Sequence, residues 1–208
     1  QLPHAFRDQE RQRWTPHEEP RNRVFELAGS TVVLIGVGAI GERTAEIASA
    51  LGMRVLGVRR APQIGAPGVT AMAGPDQLLD LLPEADFVVL TAPLTHETKG
   101  MIGARELGVM KRTAIIINIG RGGTIDEPAL IAALQEGRIA GAGLDVFETE
   151  PLPSSSPLWA MDNVIITAHY AGLTPRYDER ALGIFLDNLR RYRAGEPLRN
   201  VVDKELGY

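Results

Sequence analysis

The chain has 208 residues, 22 Lys+Arg against 26 Asp+Glu, a formal net charge of −4, and no cysteine. Such a length buries a sizeable core, the charge lacks the basic stripe of a nucleic-acid binder, and the missing thiols exclude disulfides, thiolate metal sites and a cysteine nucleophile. No apolar run approaches the ~18 residues of a membrane span and no signal-peptide pattern opens the chain, so a cytoplasmic protein with neither membrane nor nucleic acid as partner is expected.

In chain order, residues 1–24 read as part of a charged helix followed by a connecting arm of Pro and charge, with further residues expected upstream of Gln1. Residues 25–195 then alternate short apolar runs with helical patterns, and 196–208 form a tail. Strands are predicted at 31–36 (TVVLIG), 53–58 (MRVLGV), 86–92 (DFVVLTA), 113–118 (TAIIIN), 140–146 (AGAGLDV) and 163–167 (NVIIT). These runs are almost continuously apolar, as strands are when helices cover both faces of a sheet. The spacing predicts a helix over 39–51, with Ile40, Ala48 and Leu51 on its apolar face. A second covers 126–136, opened by Asp126 and Pro128 and stopped by Gly137. The last runs from Thr174-Pro175 to Gly195, with Leu182, Phe185, Leu186 and Leu189 as core. The pattern predicts an α/β protein of Rossmann type, a doubly wound parallel sheet with helices on both faces.

Gly36-Val-Gly38-Ala39-Ile40-Gly41 follows the first strand and opens the first of these helices. Gly36 permits the tight turn, Gly38 lets a pyrophosphate approach the backbone, and Gly41 lets helix and strand pack closely. The helix N-terminus offers free N–H groups and a positive dipole end to phosphates. In strand–turn–helix context this motif points to a dinucleotide. At the end of the second strand, 18 residues past Gly41, stands Arg59, followed by Arg60. NAD-binding units place a carboxylate there for the ribose hydroxyls, whereas a guanidinium pairs with a 2′-phosphate. NADP(H) is therefore favoured, with NAD(H) as the alternative and two solvated surface arginines as the plainer explanation. A methyltransferase with a similar glycine loop would want an acidic residue at position 59.

Arg121 in NIGRGG, Glu150 in LDVFETEPLP and His169 in TAHYAG fall at the ends of later strands, where open α/β sheets bind ligands. With GVGAIG, TAPLTHETKGMI and INIGRGGTIDEPALIAAL, these segments resemble the signatures of the D-isomer-specific 2-hydroxyacid dehydrogenases, in order, from about Val24 to the end of the chain. The resemblance implies hydride transfer between a nicotinamide coenzyme and a small 2-hydroxy acid or 2-oxo acid. It implies His169 as general acid/base, an imidazole being suited to proton transfer near neutral pH. Glu150 is implied as its carboxylate partner, Arg121 as the anchor of the substrate carboxylate, and Asp145 as the anchor of the nicotinamide carboxamide. It also implies that Thr91, Ala92, Pro93, Thr98, Ile119, Gly120, Ala171 and Gly172 line the coenzyme.

The histidine segment departs from the family's usual Thr/Ser-Pro-His, reading Thr167-Ala168-His169. Tyr170 beside it either lines the mouth of the site or packs. His4, His17 and His96 are expected to be non-catalytic, and no His/Asp/Glu spacing suggests a metal. In the family a substrate domain precedes the coenzyme domain, and it is expected to lie upstream of Gln1. The chain alone is therefore expected to bind coenzyme but turn over weakly or not at all, and to form a homodimer through this domain with apolar surface exposed around the cleft. A dinucleotide-sensing protein, akin to transcriptional corepressors that resemble the family, is the alternative function.

Overall fold

The computed structural model describes residues 2–15, 24–205 and 207. Most of the expected connecting arm, with His17, lies outside the described residues. The charged opening segment forms helix α1 (Leu2–Glu10), tied to the body by an ion pair between Arg7 and Asp162.

Among the described residues seven strands form one parallel sheet: β1 (Thr31–Ile35), β2 (Arg54–Val58), β3 (Ala71–Ala73), β4 (Phe87–Leu90), β5 (Ile115–Asn118), β6 (Gly141–Leu144) and β7 (Val164–Ile166). Their spatial order is β3-β2-β1-β4-β5-β6-β7. The order reverses between β1 and β4, and at such a switch point the chain leaves a crevice beyond the carboxyl ends of the strands. Central β1 is buried along its whole length. Its side chains alternate between faces, Val33 and Ile35 joining Leu56, Val88, Leu90 and Ile116 on one side. Val32 and Leu34 meet Ala45, Ala48 and Val55 on the other. Each large apolar side chain withdrawn from water in this way contributes about 1.5–3 kcal/mol.

The helices are α2 (Ala39–Ala50), the single turn α3 (Leu78–Leu81), α4 (Ala104–Val109), α5 (Glu127–Gln135) and α6 (Tyr177–Ala194). The α5 start is the one expected: the Asp126 side chain accepts from Ala129 N–H at 3.0 Å. Strand β3 and helices α3 and α4 were not anticipated. Alanine-rich β3 has little strand propensity and is held by pairing with β2, Leu56 to Val58 opposite Ala71 to Ala73.

Two expected apolar faces are corrected. On α2 the buried residues are Gly41, Ala45 and Ala48, while Ile40 and Leu51 are exposed. The small residues face the sheet because helix and strand lie too close for a larger side chain. On α6, Leu182, Phe185, Leu186 and Leu189 are exposed rather than core, Phe185 at 62%. Helical spacing tells which side chains share a face, and it does not tell whether the same chain covers that face.

Candidate active site

The glycine turn between β1 and α2 is shaped by main-chain contacts. Gly36 has φ +94°, and a Cβ there would stand 2.5 Å from Ala92 N. Thr91 Oγ1 donates to Gly36 O at 2.5 Å, pinning the turn to the end of β4. A Cβ on Gly41 would meet Gly36 O at 2.4 Å, and one on Gly120 would meet Ala92 O at 2.7 Å. Three chain segments, from the ends of β1, β4 and β5, thus converge backbone to backbone. Gly38 is different: a Cβ there would have nothing within 4 Å. Gly38 is also the N-cap of α2, and Glu42 N–H donates to its carbonyl at 2.7 Å. The N–H groups of Ala39, Ile40 and Gly41 have no intrahelical acceptor, as at any helix start. An open approach ending on a helix N-terminus fits a phosphate-bearing ligand.

The arginines after β2 flank this groove. Arg59 Nη1 lies 3.6 Å from Glu42 Oε1, and Arg60 Nη2 lies 2.9 Å from Glu97 Oε2. Thr98 turns its hydroxyl inward, donating to Pro93 O at 2.6 Å and accepting from Thr95 N–H at 2.8 Å. Like Thr91, it braces the wall of the groove with its side chain. Ile119 continues the sheet, its N–H donating to Leu90 O at 3.2 Å.

Arg121 is carried on a turn held by Asn118, which is 1% exposed. Asn118 Oδ1 accepts from Gly120 N–H at 3.0 Å, and its Nδ2 donates to Arg121 O at 3.1 Å. Thr124 Oγ1 donates to the same carbonyl at 2.7 Å. Gly122 lies so close to the next loop that a Cβ would fall 1.9 Å from Phe147 C. That approach sets Arg121 beside the turn bearing Glu150.

Glu150, whose peptide bond to Pro151 is cis, points Oε1 at Phe147 N–H, 3.0 Å away. Its Oε2 lies 2.6 Å from His169 Nδ1. Burial opposes ionisation of this carboxyl, but the bonds with His169 and Phe147 and the charges of His169 and Arg121 outweigh it, holding Glu150 below its ordinary value. An ionised carboxylate only accepts, so Nδ1 carries the proton and Nε2 is left for proton exchange. His169 itself sits at φ +52°, with its N–H donating to Asp145 O at 2.8 Å.

Asp145, 4% exposed, organises the loop around the histidine. Its Oδ1 accepts from Thr167 Oγ1 at 2.5 Å, Tyr170 N–H at 3.1 Å and Ala171 N–H at 3.2 Å. Its Oδ2 accepts from Ala171 N–H at 3.1 Å. Burial is the largest influence on this carboxyl and would raise its pKa, yet these bonds and the charge of His169 leave it below the ordinary value. Ala171 thus contributes its N–H to Asp145, and Gly172 is exposed with open space before it.

Arg121, Glu150, His169 and Asp145 are thus brought together, beyond the carboxyl ends of β5, β6 and β7. Asn118, Gly122, Thr124 and Thr167 support them and were not singled out from the sequence. A polar Asn closing an apolar strand ahead of three glycines, Gly120, Gly122 and Gly123, was the available signal. Among the described residues no group of three or more His, Cys, Asp or Glu has the arrangement to hold a metal ion, and no helix is long and apolar enough to cross a membrane.

A family model described as D-isomer specific 2-hydroxyacid dehydrogenase, NAD binding domain, matches residues 1–171. The chain belongs to this family. It is 41% identical to a glyoxylate reductase of Korarchaeum cryptofilum over 185 residues, covering 88% of this chain and 54% of that protein. With D-3-phosphoglycerate dehydrogenase of Methanocaldococcus jannaschii it shares 38% identity over 204 residues, 97% of this chain and 38% of the relative. The chain spans about half the length of the glyoxylate reductases it matches. Among solved structures, a family member from Xanthobacter autotrophicus Py2 in complex with NADPH and MES superposes with a TM-score of 0.86 at 40% identity, covering 100% of this chain and 82% of that one. An NADPH-dependent glyoxylate/hydroxypyruvate reductase from Sinorhizobium meliloti, in complex with NADP and sulfate, gives 0.86 at 32% identity, covering 100% and 64%.

Proposed function

We propose that this 2-hydroxyacid dehydrogenase domain binds NADP(H) in preference to NAD(H) and serves the reduction of a small 2-oxo acid such as glyoxylate or hydroxypyruvate, or the reverse oxidation. The observation that carries the proposal is the His169–Glu150 pair, 2.6 Å apart, set with Arg121 beside a glycine-lined groove. Gly36, Gly38, Ala39, Ile40 and Gly41 hold the pyrophosphate, and Ala92, Pro93, Ile119, Gly120 and Gly172 line the remaining groove. When bound, the nicotinamide supplies or accepts the hydride.

Arg121 holds the substrate carboxylate with its planar fork of donors. His169 Nε2 gives a proton to the oxygen of the reduced carbonyl, and Glu150 keeps the ring in the tautomer and orientation that this needs. Asp145 places the histidine loop, and its Oδ2, with one hydrogen bond from protein, is the acceptor left for the carboxamide. The exposed apolar face of α6 supports pairing with another protein surface, a second copy in this proposal, which sedimentation would read. The corepressor-like alternative draws no support from the relatives named above, which are reductases and dehydrogenases.

The NADP(H) preference is supported by Arg59 and Arg60 at the groove and by coenzyme-bound neighbours of known structure. Titration with NADPH and NADH, followed by nucleotide fluorescence, tests it. Tighter binding of NADPH is expected, and tighter binding of NADH refutes it. Absorbance of NADPH with a panel of 2-oxo acids tests the reaction: oxidation that requires the keto acid and is lost in His169→Gln supports it, and activity unchanged in that variant refutes the assigned chemistry.

A further inference from the structure

Arg60 follows β2, and Glu97 sits between β4 and α4. In the sheet β1 lies between those two strands, so the 2.9 Å ion pair of Arg60 with Glu97 crosses the end of β1 where the glycine turn opens. It is a clasp from one rim of the groove to the other. Glu97 is well placed for this, because its loop is braced by the Thr95 and Thr98 bonds to one another and to Pro93 O. Its own side chain stays 67% exposed, so releasing it to water is inexpensive. Arg59 is engaged separately, by Glu42 on α2.

We propose that Glu97 is a specificity-determining residue that competes with the 2′-phosphate of the coenzyme for Arg60. The inference rests on the proposed role of the arginine pair at the adenosine 2′ position. A 2′-phosphate has to replace the Glu97 carboxylate on the guanidinium and also meets that carboxylate's charge nearby. A 2′-hydroxyl neither needs the guanidinium freed nor suffers that repulsion. Glu97 therefore lowers a preference for NADPH that the arginines create, and the selectivity of the groove is a balance between rim cations and a rim anion. The pair is exposed, so the effect is modest and screened by salt.

The test is coenzyme titration of the full chain and of E97Q, R60Q and the double variant E97Q/R60Q. E97Q is expected to tighten NADPH about two- to fivefold, the range open to an exposed ion pair, with little change for NADH. The gain is expected to shrink in high salt and to vanish when Arg60 is already replaced, the signature of a direct coupling. Equal tightening of both coenzymes, no tightening of NADPH, or a gain that persists in the R60Q background each overturns the proposal. Failure of the underlying reading looks different: R60Q then leaves the NADPH-to-NADH ratio untouched. If R60Q weakens NADPH while E97Q changes nothing, the arginine role stands and the competition by Glu97 falls.

Discussion

Asp145→Asn separates the role the structure shows for this carboxylate, holding the histidine loop, from the role proposed for it, meeting the coenzyme. In the native chain Oδ1 takes three donors and Oδ2 takes one, and three of these bonds come from backbone N–H groups. An amide keeps one acceptor oxygen and turns the other into an NH2 group that faces the Ala171 N–H, donor against donor. Hydrogen bonds to a charged partner are worth about 1.5–3 kcal/mol. The main-chain bond from His169 N–H to Asp145 O survives the change, so a loss of about 2–3 kcal/mol is expected in all. For a chain of this size that corresponds to a Tm lower by roughly 4–12 °C. Because the carboxyl is held below its ordinary value of 3.8, its contribution is complete above that value and disappears as pH falls through the native one. The gap between native and variant chains is therefore full at neutral pH and closes below about pH 4. Urea unfolding at pH 7 and in acid measures it, and an NMR titration of the His169 ring reads the loop. A variant with an unchanged urea midpoint and an unchanged His169 titration, but weakened NADH binding, would show that Asp145 serves the coenzyme alone.

Gly36→Ala and Gly38→Ala should part company. The first combines a strained positive φ with a Cβ 2.5 Å from Ala92 N and is expected to cost about 2–6 kcal/mol in chemical denaturation. The second meets nothing in the protein, so stability should fall by less than about 1 kcal/mol while coenzyme affinity drops steeply; equal stability losses would contradict this. Asp86 accepts from Lys111 Nζ at 2.7 Å and from Thr31 N–H at 2.9 Å. Burial would raise its pKa, but those partners leave it below the ordinary value. Asp86→Asn should destabilise the chain by about 1–2 kcal/mol at neutral pH and flatten the loss of stability below about pH 4. An acid limb identical to the native one in urea midpoints would remove Asp86 from that account.

The strands that cross the middle of the sheet were legible because both faces are covered, and continuous apolar runs such as 32–35 follow directly. Strand β3 was not, since its three residues are paired through β2 and carry no pattern of their own. The small side chains of α2 illustrate another limit. Hydrophobicity pointed to Ile40 and Leu51, whereas closeness of helix to strand selected Gly41, Ala45 and Ala48. In the site, glycines and charged residues at strand ends were readable as chemistry. The supporting bonds of Thr91, Thr98, Asn118 and Asp145 were not, because most of their partners are main-chain atoms, and only the fold brings them near. A threonine hydroxyl in such a motif can brace the main chain with its proton and still keep an acceptor lone pair.

The convergence of Gly36, Ala92 and Gly120 gives the groove a floor of peptide groups. Such a floor has a shape and polarity that no side-chain exchange elsewhere can redraw, while any side chain added to it intrudes on the backbone opposite. Variation is thereby confined to the rim, where the adjacent Arg59 and Arg60, Glu42 on α2 and Glu97 after β4 stand on three segments and at least partly in water. In the proposed reading, a change of coenzyme preference is then a matter of a few surface charges laid over an unchanging bed. Efforts to retune this domain should leave the bed alone and edit the rim.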